Sequence, residues 1–176
     1  MANDHIPRAW LMTDERLGAE LLPVLERMPA GAGVVFRQDR APDRAALAAR
    51  VAEIATRRGL VLSVAGDVEL ARSVGARFMH RPTGDGAGLP FSLSVHTPEE
   101  AVLAANRGAA FAFISPVEAT ASHPATPPLG PDNARALARS AGLPAIALGG
   151  MDACLFDRIY RHDFHGWAGI DAWLRI

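Results

Sequence analysis

The feature that most constrains the fold is a signal that recurs along the chain. A helical stretch ends near a glycine, and an apolar run follows at once. The signal is seen four times, at Gly59, Gly75, Gly108 and Gly142. Glycine just past a helix end suits the left-handed C-cap conformation. The runs are short and almost continuously apolar, which is typical of strands buried on both faces of a parallel sheet.

The remaining apolar runs bring the number of candidate strands to eight, with helical segments between most of them. We predict strands at residues 9–12, 33–36, 60–64, 78–80, 91–95, 110–114, 145–148 and 167–170. Asp67 is expected to cap the helix that follows the third strand. Thr97 and Pro98 predict the start of a later helix, and Glu100 would complete a capping box with Thr97.

Eight alternating strands and helices indicate an α/β protein, either a (β/α)8 barrel or a doubly wound sheet. The first strand–helix turn lacks the glycine pattern of dinucleotide-binding sheets, so we predict a TIM barrel as a single domain over residues 1–176. The chain has 176 residues, fewer than the roughly 200 that such barrels need. We therefore expect a trimmed barrel, with helix 4 reduced within residues 81–90 and little chain after strand 8. A partner subunit, in a homodimer, would cover the bare side.

The composition excludes several classes of function. All 18 basic residues are arginine, so a lysine Schiff base and the lysine of a Walker A phosphate loop are excluded. The net charge of −1 lacks the basic footprint of a general nucleic-acid binder. No apolar run reaches the ~18 residues of a membrane helix, and the first ten residues lack a signal core, so we expect a cytoplasmic protein. Cys154 is the single cysteine and is expected to be buried.

Polar residues follow several of the predicted strands, at the end of a barrel where function resides. Arg37 follows strand 2, His80 ends strand 4, and His96 follows strand 5. Each also has a structural interpretation, because polar residues at strand ends often pair or cap. The loop over residues 115–130 is long, polar and rich in proline, which is typical of a loop that contacts substrate.

Four segments resemble those of one family, thiamine phosphate synthase and its TenI-type relatives. Residues 92–100 are similar to its G-V-S-x-H-T-x-E-E segment, and residues 115–123 are similar to its G-P-[VI]-[FY]-P-T-x-[ST]-K loop. Residues 147–151 resemble its phosphate-binding I-G-G-I turn, and residues 67–71 with His80 resemble its D-x-x-L-A…H stretch. The order and spacing hold over nearly the whole chain.

The resemblance implies a (β/α)8 barrel that couples a pyrimidine diphosphate to a thiazole phosphate and releases pyrophosphate. In such an enzyme Mg²⁺ neutralises the leaving pyrophosphate, and backbone N–H groups after strands 7 and 8 hold the thiazole phosphate. The catalytic residues it implies are Arg37, His96, Ser122 and His123, and the metal ligand is Asp85. The substrate-binding residues it implies are His80, Ser94, Thr120, Gly149, Gly150 and Asp171.

The chain departs from the family pattern at positions that, in the family, bind the metal ion or the phosphate groups of the substrates. Asp39 replaces a lysine, Gly66 replaces a metal-binding aspartate, and Asp171 replaces a phosphate-binding serine. Neutral Val35 and Ala65 stand where the family has glutamine and asparagine, and His123 stands where it has lysine. A carboxylate about 4 Å from a phosphate costs roughly 1 kcal/mol per charge pair in water.

Three functions follow from this pattern. The first is a divergent synthase, which the retained loop over residues 120–123 and Asp85 favour. The second is a TenI-type thiazole tautomerase, in which His96 would carry the proton and no pyrophosphate site is needed. The third is a non-catalytic regulatory barrel that binds a thiazole or pyrimidine ligand.

Overall fold

In a computed structural model, which describes residues 5–120 and 125–175, the chain forms a closed barrel of eight parallel strands in sequence order. The strands are β1 (Ala9–Met12), β2 (Gly33–Phe36), β3 (Val61–Ala65), β4 (Phe78–His80), β5 (Phe91–Val95), β6 (Phe111–Ile114), β7 (Ala145–Leu148) and β8 (Gly166–Gly169). The register of β1 against β8, with Trp10 opposite Ala168, closes the ring. The (β/α)8 prediction is therefore confirmed.

Helices connect most of the strands on the outside of the barrel. They are α1 (Leu21–Arg27), α2 (Arg44–Arg58), α3 (Val68–Ser73), α4 (Pro98–Asn106), α5 (Gly130–Ala141) and α6 (Ala153–Leu155), which continues as a π-helical turn over Phe156–Tyr160. Only a 3₁₀ turn, Gly86–Gly88, lies between β4 and β5 in the described chain. Further 3₁₀ segments are Glu15–Glu20, before α1, and Asp171–Arg175, after β8. The predicted reduction of helix 4 is confirmed.

Three strands, β3, β6 and β8, differ by one residue at one or both ends from those predicted. Leu60 lies outside β3 because its N–H completes the end of α2, donating to the carbonyl of Ala55 at 2.8 Å. The eighth strand begins at Gly166, which pairs with Ile146. A side chain at Gly166 would overlap the backbone of Arg8, so glycine is required there for close approach.

The predicted helix starts are confirmed in part. The Asp67 carboxylate accepts the N–H of Leu70 at 2.9 Å and caps α3, and the Thr97 hydroxyl accepts the N–H of Glu100 at 3.3 Å. The Glu100 carboxylate, however, binds the N–H of His96 at 2.6 Å, one residue before the expected cap position. Cys154 is exposed, so its predicted burial is wrong, because it lies on the outer side of the short α6.

Aromatic rings fill the barrel interior near the amino ends of the strands. Trp10 stacks on Phe111 with ring centroids 5.2 Å apart, and Phe78 meets Phe111 edge-on at 5.3 Å. Trp10 has room because residue 33 is glycine, and a side chain there would overlap the indole ring. This packed layer closes one end of the barrel and leaves the carboxyl end for a site.

None of the helices in the described ranges is long and apolar enough to cross a bilayer.

Candidate functional site

A cavity of about 520 Å³ opens at the carboxyl ends of the strands. Its lining comes from nearly every part of the ring, from Met12 at the end of β1 to Ile170 after β8. Five residues predicted from the sequence lie on its wall or rim, namely Arg37, Ser94, His96, Thr120 and Gly149. Because parallel strands end at the same edge, residues far apart in the chain meet there.

A second cavity of about 260 Å³ lies beside the first, between the turns that follow β7 and β8. Gly149, Gly150 and Asp171, all predicted substrate-binding residues, line it together with Arg175. The two cavities share wall residues: Thr120, Leu148, Gly149 and Ile170. Two ligands bound in these cavities would therefore lie side by side.

Gly150 allows the loop after β6 to lie directly on the turn after β7. The backbone φ of Gly150 is +63°, and a Cβ atom there would lie 2.5 Å from the carbonyl oxygen of Ala119. The N–H of Glu118 also donates to the carbonyl of Gly149 at 3.1 Å. These contacts hold the Thr120 end of the loop against both cavities.

His80 is almost completely buried below the larger cavity and does not line it. Its Nδ1 lies 3.0 Å from the hydroxyl of Ser92, and its Nε2 lies 3.5 Å from the hydroxyl of Ser94. Burial, and then the positive charges of Arg81 and Arg37, hold the pKa of His80 well below its usual value of 6.5. The imidazole is therefore neutral at pH 7 and supports Ser94 from beneath.

The ring of His96 has a defined orientation at the rim. Its Nδ1 lies 2.7 Å from the backbone carbonyl of Ser115, which can only accept a hydrogen bond. Nδ1 must therefore carry the proton, and Nε2 of the neutral ring is left as an acceptor. His96 is exposed, which leaves that nitrogen accessible to a ligand.

The side chain of Arg37 extends into the larger cavity, and Thr13, directly after β1, fixes its position. Its backbone N–H donates to the Thr13 hydroxyl at 2.9 Å, and its Nε donates to the Thr13 carbonyl at 3.0 Å. Burial, and then the charge of Arg81, lower the pKa of Arg37 from its usual value. The guanidinium stays charged, and its terminal nitrogens are the groups left to bind an anion.

The sequence analysis missed Arg81, which also lines the larger cavity. It directly follows β4 and has a backbone φ of +48°, which is unusual for a residue with a side chain. Its position directly after a barrel strand is the signal in the sequence that indicates a place at the site. The N–H of Arg81 donates to the carbonyl of Ser92 at 2.9 Å, which holds this backbone in place.

Asp85, the predicted metal ligand, lies outside both cavities. Its carboxylate accepts the N–H of Ala87 at 2.9 Å and so caps the turn after β4. Within residues 5–120 and 125–175, no three His, Cys, Asp or Glu side chains come together as a metal site. Asp67 is bound by Arg44 at 3.0 Å, and position 66 is glycine. This donor set does not fit a resident Mg²⁺ ion.

Two other predicted catalytic residues, Ser122 and His123, lie outside the described residues. They belong to the loop after β6, whose described ends reach the larger cavity at Thr120 and Thr126. Their roles stay predictions.

Comparison with known proteins agrees with this architecture. The sequence profile of the thiamine monophosphate synthase family matches residues 10–173. A thiamine biosynthesis bifunctional protein ThiM/ThiE from Symbiobacterium thermophilum is 36% identical over 76% of this chain and 31% of its own length. A thiamine-phosphate synthase from Gloeobacter violaceus is 31% identical over 82% of this chain and 46% of its own. The chain thus spans about a third of one relative and less than half of the other.

The fold has a close match among solved structures. A thiamine phosphate pyrophosphorylase from Pyrococcus furiosus superposes with a TM-score of 0.75 at 21% identity, over 94% of this chain and 86% of that one. At this identity the likeness concerns the fold alone. Together with the profile match over residues 10–173, these findings show that the chain belongs to the thiamine monophosphate synthase family.

Proposed function

We propose that this protein couples a pyrimidine diphosphate to a thiazole phosphate, as a divergent thiamine phosphate synthase. The observation that supports this most is the pair of cavities that share a wall at the barrel mouth. A coupling reaction needs two ligands held in contact, with an anion site beside one of them. A single-substrate tautomerase needs only one of these cavities.

The smaller cavity suits the phosphate of the thiazole. Backbone N–H groups of glycine-rich turns bind phosphate oxygens, and both turns here contain glycine. The Asp171 carboxylate opposes such an anion, while the guanidinium of Arg175 on the same wall favours it. We expect phosphate binding to be weaker here than in a site with two hydroxyl donors.

The larger cavity suits the pyrimidine and its diphosphate. Arg37 and Arg81 supply positive charge, Ser94 supplies a hydroxyl, and Leu148 with Ile170 supplies apolar surface at the boundary with the thiazole. In the reaction, the bond between the pyrimidine's methylene carbon and the diphosphate oxygen breaks. The electron pair leaves on that oxygen as a bond to the thiazole forms. Cations placed at the departing oxygens stabilise the charge that develops.

The test is to mix the protein with both substrates and follow thiamine phosphate by mass spectrometry and pyrophosphate by a coupled assay. We expect both products in equal amounts. We expect Arg37→Gln to lower kcat/KM by about a hundredfold, because each charge-assisted contact contributes roughly 1.5–3 kcal/mol. Arg139→Gln is the matched control, since this exposed arginine lies in the last turn of α5, at the opposite end of the barrel.

Two results would contradict the proposal. One is the absence of both products at high protein concentration with folded wild-type protein. The other is conversion of a thiazole carboxylate phosphate alone, abolished by His96→Asn, which would assign the tautomerase function instead.

A further inference from the structure

Arg37 and Arg81 line the same cavity and have no acidic partner of their own in the described part of the chain. The Nε of Arg37 donates to the backbone carbonyl of Thr13, the residue that directly follows β1. A third arginine close by, Arg44, behaves differently. It binds the Asp67 carboxylate at 3.0 Å, the Asp39 carboxylate at 3.2 Å and the carbonyl of Ala65 at 2.8 Å.

Two guanidinium groups held in one cavity repel each other, and the carboxylates of Asp14, Asp39 and Glu15 offset only part of the burial and repulsion that act on Arg37. A doubly or triply charged anion between them would remove the repulsion and accept bidentate hydrogen bonds from each group. Diphosphate has both the charge and the length for two such contacts. The lowered pKa of Arg37, caused by burial and then by Arg81, agrees with this unfavourable arrangement.

The backbone at Arg81 is held in a strained conformation by its neighbours. Its φ of +48° is fixed on one side by the hydrogen bond to Ser92. On the other side, Arg107 donates to the carbonyls of Pro82 and Gly84 and lies over the Phe91 ring at 5.4 Å. Such strain in a residue with a side chain persists where the surroundings over-determine it, and it is concentrated at functional sites.

The positions that would hold a metal are occupied by other interactions. Asp85 caps its own turn, Asp67 caps α3 and binds Arg44, and residue 66 has no side chain. A further cavity, lined by Asp39, Arg44, Asp67 and Arg81 among others, adjoins the larger cavity at Arg81, which lines both. Because Arg44 is paired with Asp39 and Asp67 there, the positive charge available to a diphosphate comes from Arg37 and Arg81.

We infer that Arg37 and Arg81 are the two cations that hold the leaving diphosphate, so that binding requires no divalent metal ion. This inference rests on the proposed function and adds Arg81 as a catalytic residue. The carbon–oxygen bond of the substrate breaks with its electron pair on the diphosphate, and the two guanidinium groups neutralise that charge without a proton transfer.

The experiment is isothermal titration of the wild-type protein with the pyrimidine diphosphate and with inorganic pyrophosphate. Each titration is run in excess EDTA and again in excess Mg²⁺. We expect binding in EDTA, with a Kd no weaker than that in Mg²⁺. Arg37→Gln and Arg81→Gln should each raise the Kd by roughly tenfold to a hundredfold, because a charge-assisted contact is lost. Arg139→Gln, which makes the same charge change at the far end, should leave the Kd unchanged.

The outcomes separate the inference from the function it rests on. Binding of the diphosphate only in Mg²⁺, with product still formed, would overturn the inference and leave the synthase proposal standing. An unchanged Kd in folded Arg81→Gln, checked by thermal melting, would remove Arg81 from the site. No binding of either ligand under either condition, and no product, would overturn both proposals.

Discussion

Arg81 and His80 are adjacent in the chain, and they serve the site in opposite ways. His80 is buried and uncharged at pH 7, and it supports Ser94 from within the barrel. Arg81 leaves the end of β4 with a positive φ and brings a charge to the rim. His80 thus belongs to the packed interior of the barrel, and Arg81, the next residue, belongs to the cavity wall.

We predict that Arg81→Gly is more stable than Arg81→Ala by about 1 kcal/mol. A residue with a Cβ atom at φ +48° bears a steric cost of roughly 1–2 kcal/mol, which glycine avoids, and the greater freedom of glycine in the unfolded chain offsets part of the gain. Both variants lose the guanidinium, so comparing them isolates the backbone effect. Urea unfolding measures the difference, and equal stabilities would show that the backbone at residue 81 bears no strain.

The lowered pKa of His80 predicts a loss of stability in mild acid. Below pH 6.5 the unfolded chain protonates this imidazole while the folded protein does not, so the unfolded state binds more protons. The free energy of unfolding should therefore fall as the pH falls below 6.5, by up to about 1.4 kcal/mol per pH unit from this group. His80→Gln should flatten that dependence between about pH 6.5 and 5. A slope in the variant equal to that of the wild type would contradict the prediction.

At the scale of elements, the loop after β6 is fastened to the β7 segment at several points. The N–H of Val117 donates to the carbonyl of Leu148 at 2.9 Å, and the Tyr160 hydroxyl donates to the Glu118 carboxylate at 2.5 Å. Tyr160 is buried on the π-helical turn after α6, and burial followed by this hydrogen bond raises its pKa. The hydrogen bond between Tyr160 and Glu118 fixes the loop that forms part of the wall shared by the two cavities.

We predict that Tyr160→Phe destabilises the protein by about 1.5–3 kcal/mol, the usual contribution of a hydrogen bond to a charged group. A double-mutant cycle with Glu118→Gln, measured by urea unfolding, should give a coupling of about 1–2 kcal/mol. The affinity for thiazole phosphate should also fall in Tyr160→Phe, because the loop loses its anchor. Additive effects of the two substitutions would show that the hydrogen bond between Tyr160 and Glu118 contributes nothing to the free energy of unfolding.

At the scale of the whole molecule, the turn after β8 packs against the closed barrel. Trp167 of β8 stacks on Trp173 in the turn that follows, with centroids 5.2 Å apart, and both are buried. The indole nitrogen of Trp173 donates to the carbonyl of Trp10 at 2.9 Å, which ties the end of the chain to β1. The two tryptophans thus hold the turn over Asp171–Arg175 against the barrel wall. The predicted homodimer stays a prediction.

The barrel could be predicted because each strand is a short apolar run bounded by glycine or a capping residue, as at Gly59 and Thr97. Much of the site could also be predicted, since Arg37, Ser94 and His96 lie at or just after the carboxyl ends of strands, which a barrel brings to one end. The roles of Arg81 and Arg44 could not be predicted from the sequence. The role of Arg81 depends on a positive φ, and that of Arg44 depends on ion pairs with carboxylates from separate segments. For Asp85 the family resemblance implied a metal ligand, whereas the contact seen in the structure is a cap, in which its carboxylate accepts the N–H of Ala87.

The most direct test of the central claim is a crystal structure of the protein grown with thiamine phosphate and pyrophosphate. We predict that the thiazole phosphate lies between the turns after β7 and β8, at Gly149 and Gly150. We predict that the pyrophosphate lies in the larger cavity, contacted by Arg37 and Arg81. Ligands bound outside these two cavities, or pyrophosphate held by Asp85 through a metal ion and away from Arg81, would contradict it.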